Sequence, residues 1–153
     1  MATRPLQRHS LAIEGGVASA KASAWARALA EHAGLSEKLI YAIDLCIVEL
    51  VTNVVDHAYG ESPGLIRIEL DLGPAAAILT ILDDGPPFDP LSVATPATPT
   101  SVEDASVGGY GIKMVRSAAD ACRYERRGGQ NVFTAYFGAG SPVGDAARSW
   151  ERS

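Results

Sequence analysis

Thiols, aromatics and positive charge are all scarce in this chain of 153 residues. The two cysteines, Cys46 and Cys122, have no CxxC spacing and sit in apolar surroundings, so buried free thiols in a reducing compartment are expected. No run reaches the roughly 20 apolar residues of a membrane-spanning helix. The first residues lack the apolar core of a signal peptide. A soluble, cytoplasmic protein with no membrane partner is the expectation. Lys and Arg total 13 against 18 Asp and Glu, for a net charge of −5 and a pI of about 5.1. That balance argues against a broad phosphate-backbone footprint, and so against direct nucleic-acid binding. What remains is a globular composition, 47% hydrophobic and 20% charged, long enough for one domain with a sizeable core.

The densest chemistry lies in Cys46 to Tyr59, CIVELVTNVVDHAY. Glu49, Asn53 and His57 recur every four residues. At about 100° per residue each such step drifts only about 40°, so the three fan along one helix face. Thr52 and Asp56 flank them, and Cys46, Ile47, Val48, Leu50, Val51, Val54 and Val55 turn inward. An acid, an amide and an imidazole on one stripe have two readings. One is a solvated polar edge. The other is a site where a metal or a water meets a carboxylate and an amide oxygen.

Around that stretch the chain reads in order as follows. Residues 1–7 form a loose start. Residues 8–14 alternate briefly and suit an edge strand, ended by Gly15-Gly16. Val17 to His32 is an alanine-rich helix with Trp25, Ala28, Leu29 and Ala30 on a recurring face. Gly34 stops it, and Ser36 is the N-cap of a second helix from Glu37 to His57. GESPG turns the chain into Leu65–Leu72, which alternates as a half-buried strand. Gly73-Pro74 leads into Ala75–Leu82, giving an antiparallel hairpin. Asp83–Pro90, with three prolines and a glycine, is a shaped loop. Residues 91–107 show no periodicity. Gly108–Asp120 is a glycine-rich helix entrance, followed by strands at Ala121–Glu125 and Asn131–Phe137 around Arg126–Gly129. The tail from Gly138 is loose. The order β-α-α-β-β-loop-α-β-β predicts an α+β two-layer sandwich over residues 8–137: a mixed, largely antiparallel sheet with helices on one face.

Two further segments carry chemistry. A glycine-rich helix entrance offers free N–H groups and the positive end of the helix dipole, which suits a phosphate. Asp83-x-Gly85 pairs an acceptor for an exocyclic amine with room for a flat base. A carboxylate and an amide at i, i+4 suit Mg2+, which keeps part of its water shell. Each is ordinary turn or edge chemistry alone. Together they read as purine, phosphate and Mg2+ in one pocket.

At these residues the sequence resembles the GHKL ATPases, which share the Bergerat-type fold. ELVTNVVDHAY looks like their N box, DDGPPFDP like the first glycine box and GGYGIKMVRSAAD like the second. The pattern E-x-x-x-N-x-x-x-H-A-Y, then D-x-G-x-P-F-D, then G-G-x-G is similar to the branch of anti-sigma-factor serine/threonine kinases. The resemblance covers roughly residues 8–137. It implies ATP and Mg2+ as cofactors, Asn53 as the Mg2+ ligand and Glu49 as the general base. It further implies Asp83 on the adenine amine with Gly85 beside the base, and Gly109 and Gly111 on the phosphates at the end of an ATP lid over residues 91–107. His57 would assist the phosphate region. The implied partners are a sigma factor, a STAS-domain anti-sigma antagonist and a second copy of the chain. Two positions depart from the family pattern. Ser106-Val107-Gly108 carries no Arg or Lys where some members place a lid cation. Gln130-Asn131 stands where a Thr often reaches adenine through water, with Asn131 as the substitute. Two functions follow: an anti-sigma protein kinase, or a nucleotide-gated binding module that transfers no phosphate.

Overall fold

The structure, a computed structural model, describes residues 5–14, 17–59, 64–92 and 110–138, with the backbone alone at 58, 59 and 110. Gly109, the lid from residue 93 onward and both outermost termini lie outside the described residues.

Alternating apolar residues build a five-stranded sheet of β1 (Gln7–Glu14), β2 (Leu65–Leu72), β3 (Ala77–Asp83), β4 (Ala121–Arg127) and β5 (Gln130–Phe137), in the order β1-β2-β3-β5-β4. One face carries Ile66, Ile68, Leu70, Leu79, Ile81, Phe133 and Phe137, all nearly inaccessible to solvent. Against it pack α1 (Ala18–His32), α2 (Glu37–Asn53) and α3 (Tyr110–Ala118). The expected two-layer α+β sandwich is thus present. The expected mixed sheet is not: all four strand pairs are antiparallel. The physical reason lies in the connections. With two helices between β1 and β2 the chain reverses direction three times, and so returns antiparallel. The single-helix crossover from β3 to β4 does make those strands parallel in direction, but β5 lies between them.

Local chemistry fixes the ends of these elements. Ser36 caps α2, its Oγ accepting from the Leu39 N–H at 3.2 Å. The β4–β5 hairpin turns at Gly128 and Gly129, with φ of 58° and 77°, the left-handed pair that a tight two-residue hairpin requires. On α1 the buried row is Ala18, Ala22, Ala26 and Ala30, one small side chain per turn. Trp25 and Leu29 are only partly buried beside it. Ser23 and Arg27 of α1 both bond the Asp44 carboxylate of α2, the latter at 2.8 Å.

The helix expected over 37–57 has two parts. It is α-helical to Asn53 and continues as a π-helix over Val54–Tyr59. A π turn holds more residues than an α turn and is found most often at functional sites. Here the change of winding falls directly after Asn53. Further back, Cys46 is buried and its Sγ lies 4.0 Å from the Val115 carbonyl of α3. Burial pushes its thiol up to about 12. Cys122 on β4 is half-buried and is raised to about 11, again chiefly by burial.

Candidate active site

A pocket opens between the C-terminal end of α2 and the ends of the central strands. Leu50, Asn53 and Val54 of the helix form its floor, and Ile81, Asp83 and Phe133 of the sheet its back wall. Phe88 and Pro90 of the loop after β3, with Tyr124 and Asn131, complete it. The space enclosed is about 30 Å3, enough for roughly one or two waters.

Asp83 ends β3 instead of starting the loop, which puts it in register with Asn131 on β5. Both are almost fully buried, at 5% exposure each. A buried carboxylate and amide demand partners, and they find them in each other and in the loop. Asp83 Oδ1 accepts from the Gly85 N–H at 3.0 Å and from Asn131 Nδ2 at 2.9 Å. Asn131 Nδ2 also donates to the Pro86 carbonyl at 2.9 Å. Its Oδ1 accepts from the Phe88 N–H at 3.1 Å and from the Tyr124 hydroxyl at 2.6 Å. Two more side chains hold the same loop from outside. Arg126 donates to the Gly85 carbonyl at 2.7 Å, and Gln130 Nε2 to Asp84 Oδ1 at 2.9 Å. Asp89 closes the far end, its Oδ1 accepting from the Leu91 N–H at 2.8 Å.

Glu49 and Asn53 lie one helical turn apart on α2, as their spacing predicts. Neither side chain takes a hydrogen bond or ion pair from any described residue. Glu49 lies against the start of α3: a Cβ placed at Gly111 would overlap its Oε2. A side chain there would make the carboxylate shift. For Mg2+ the fit is adequate. Asn53 contributes a hard amide oxygen to the pocket lining that no donor among the described residues has claimed, and Mg2+ is content with one or two protein oxygens beside waters and phosphates. His57 is exposed, and its ring stacks on Phe88 at 4.8 Å between centroids and 16° between planes. It thus meets the base loop through the π-helical turn. Gly85 is buried under the loop network.

Sequence reasoning did not single out Phe88, Tyr124 or Arg126, and it named Gln130 only as a departure from the family pattern. The alternation of β4 held a signal for two of them. Tyr124 and Arg126 share its inward face with Cys122, and the register sets Arg126 beside Asn131 and Asn131 beside Asp83. The register itself is not readable from β4 alone.

The family described as the histidine kinase-like ATPase domain matches residues 17–137. The chain belongs to that family. Among relatives of this histidine kinase-like ATPase chain, the serine/threonine-protein kinase BtrW of Bordetella bronchiseptica is 32% identical over 111 residues, covering 72% of this chain and 78% of BtrW. The serine-protein kinase RsbW of Listeria innocua is 30% identical over 114 residues, covering 71% and 73% of the two chains. The solved structure of the RsbU and RsbW domains of a Mycobacterium tuberculosis protein is similar in fold, with a TM-score of 0.60 at 17% identity. That likeness takes in 86% of this chain but 31% of the longer one. In this ATPase family member, then, the knitted loop and Asn53 line one pocket, and Glu49 stands one helical turn before Asn53.

Proposed function

We propose that this protein is an ATP-dependent serine/threonine protein kinase acting as an anti-sigma factor. Its substrate is a STAS-domain antagonist and its other partner a sigma factor, in the manner of partner switching, and it works as a homodimer in the cytoplasm. The observation that carries the kinase reading is Glu49 set against Gly111, on the same helix as Asn53 at the rim of the base pocket. An acid held at a glycine-rich helix entrance is placed where an attacking hydroxyl and a terminal phosphate meet.

In the reaction the serine or threonine hydroxyl oxygen of the substrate bonds the γ-phosphorus as the bond to the β,γ-bridging oxygen breaks. Glu49 takes the hydroxyl proton, and ADP leaves carrying the bridging oxygen. Phosphoryl transfer asks of a protein chiefly positioning and charge neutralisation. Bound Mg2+, held by Asn53, would supply part of that neutralisation. Asp83 and Gly85 would orient the base, and the resemblance assigns Gly109 and Gly111 to the phosphates. Among the described residues no helix is long and apolar enough to cross a membrane, in keeping with a soluble switch.

The second reading is a nucleotide-gated binding module without transfer. One observation favours it: Arg116, a cation close behind the glycines, donates to the Leu91 carbonyl at 2.7 Å and is engaged away from a phosphate. The two readings separate in one assay. With Mg-ATP and the native antagonist the kinase yields phosphoserine or phosphothreonine on the antagonist, and Glu49→Gln abolishes this while still binding ATP. No phosphoprotein, or transfer indifferent to Glu49→Gln, would remove the kinase reading in favour of the module.

A further inference from the structure

We propose that Asn131 is a positioning residue for base selection: held by Tyr124, its amide fixes Asp83 as a hydrogen-bond acceptor and does not touch the base. The proposal rests on the nucleotide-binding reading above and names what gives that site its specificity.

The argument is one of hydrogen-bond capacity. A primary amide has two N–H donors and two lone pairs. In Asn131 all four are used within the protein. Its nitrogen donates to Asp83 Oδ1 and the Pro86 carbonyl, and its oxygen accepts from the Phe88 N–H and the Tyr124 hydroxyl. Nothing is left for a base or for a water bridging to one. The orientation of the amide is also settled by its partners. Turning it over would set its oxygen against a carboxylate and a carbonyl, and its N–H groups against an N–H donor. Exposure of only 5% keeps solvent from replacing any of these bonds.

The consequence falls on Asp83. Two N–H donors converge on Oδ1, from Gly85 and from Asn131. Oδ2 takes no hydrogen bond from any described residue. The carboxylate is therefore locked in rotation and offers the pocket an oxygen with lone pairs only. An exocyclic amine, as on adenine, is accepted; the carbonyl oxygen that guanine carries at the same place is repelled. The same amide holds Phe88 and Pro86 through the loop backbone, so one residue sets both the acceptor and the wall of the base pocket.

The test compares wild type, Asn131→Asp and Tyr124→Phe by calorimetric titration with ATP and with GTP, folding being checked by circular dichroism. Asn131→Asp keeps the shape but removes both donors and sets a second carboxyl beside Asp83. Such a pair shares a proton, and its protonated member can donate to a carbonyl. ATP affinity should fall about tenfold or more, GTP affinity should hold or rise, and the preference for ATP should narrow accordingly. Tyr124→Phe should lower ATP affinity about threefold with a smaller narrowing of the same kind. In the kinase assay both variants should raise KM for ATP and leave kcat at saturating ATP near wild type. Variants that bind ATP within about twofold of wild type, with an unchanged ATP-to-GTP ratio, overturn the proposal while the nucleotide reading stands. A wild-type protein that binds neither nucleotide overturns both. If Asn131→Asp does not fold, Tyr124→Phe decides: a narrowed ratio supports the proposal and an unchanged one overturns it.

Discussion

At the end of the pocket that we propose takes the base, Asp83 and Asn131 hydrogen-bond each other and the loop backbone, Arg126 bonds the same backbone, and Gln130 bonds the Asp84 side chain. At the end we propose for the phosphates, Glu49 and Asn53 take none from any described residue. On the proposed reading the two ends do different work. A base is neutral and flat, and is distinguished by where donors and acceptors stand, so groups fixed in advance spare the ordering cost at binding. A triphosphate brings its own charge. The groups that meet it must stay available for a metal, a proton or a phosphate oxygen, and packing alone has to hold them. At Glu49 that packing includes close approach to the backbone at Gly111.

The largest expected effect comes from filling that position. Gly111→Ala puts a methyl where Glu49 Oε2 lies, so either the carboxylate or the start of α3 must move. Misplacement of a reacting group by about 1 Å costs transfer rates on the order of a hundredfold. Phosphotransfer should fall about tenfold to a hundredfold, while ATP affinity, set at the other end, shifts less than about threefold. Parallel rate and calorimetric measurements check it. Equal losses in both would mean that the ends are mechanically coupled and the contrast drawn above is false.

The two ends also differed in how far the sequence revealed them. Glu49 and Asn53 were legible because a helix makes spacing into geometry: four residues apart is one face. The two strand hairpins, the Ser36 cap and the order of elements were legible for similarly local reasons. The base end is built across strands. Asp83, Asn131 and Arg126 are neighbours only through the β3-β5-β4 register, and no local pattern announces that β5 inserts between β3 and β4. That insertion is also what turned an expected mixed sheet into an antiparallel one. Asn131 stood out in the sequence as a base contact, whereas its amide is spent on protein partners. His57 fits neither end by spacing alone, because the π-helical turn after Asn53 changes the winding on which the spacing argument relied.

His57 accordingly sharpens the contrast. Its ring stacks on Phe88, and an aromatic pair of this kind is worth about 1 kcal/mol. His57→Ala should therefore act as a base-end change, raising KM for ATP by about fivefold with kcat unaltered. Steady-state kinetics at varied ATP gives the answer directly. A fall in kcat with KM unchanged would assign His57 to the phosphate end instead, as the resemblance to the family implied.

Arg126 should give the smallest effect, and the reason is exposure to water. Its guanidinium is exposed and donates to the Gly85 carbonyl at 2.7 Å, but Asn131 Nδ2 also approaches that carbonyl, at 3.5 Å. Both Asn131 N–H groups are committed elsewhere at shorter range, so water takes over from the exposed guanidinium, and the usual penalty for an orphaned buried acceptor does not apply. Arg126→Ala should weaken ATP binding about twofold, and by similar amounts at low and high salt, because the bond shapes a loop and does not meet a phosphate. A loss of tenfold or more that fades as salt is raised would show the cation acting on the nucleotide's charge. The base end would then contribute to phosphate binding, and the separation of the two ends would fail at its weakest joint.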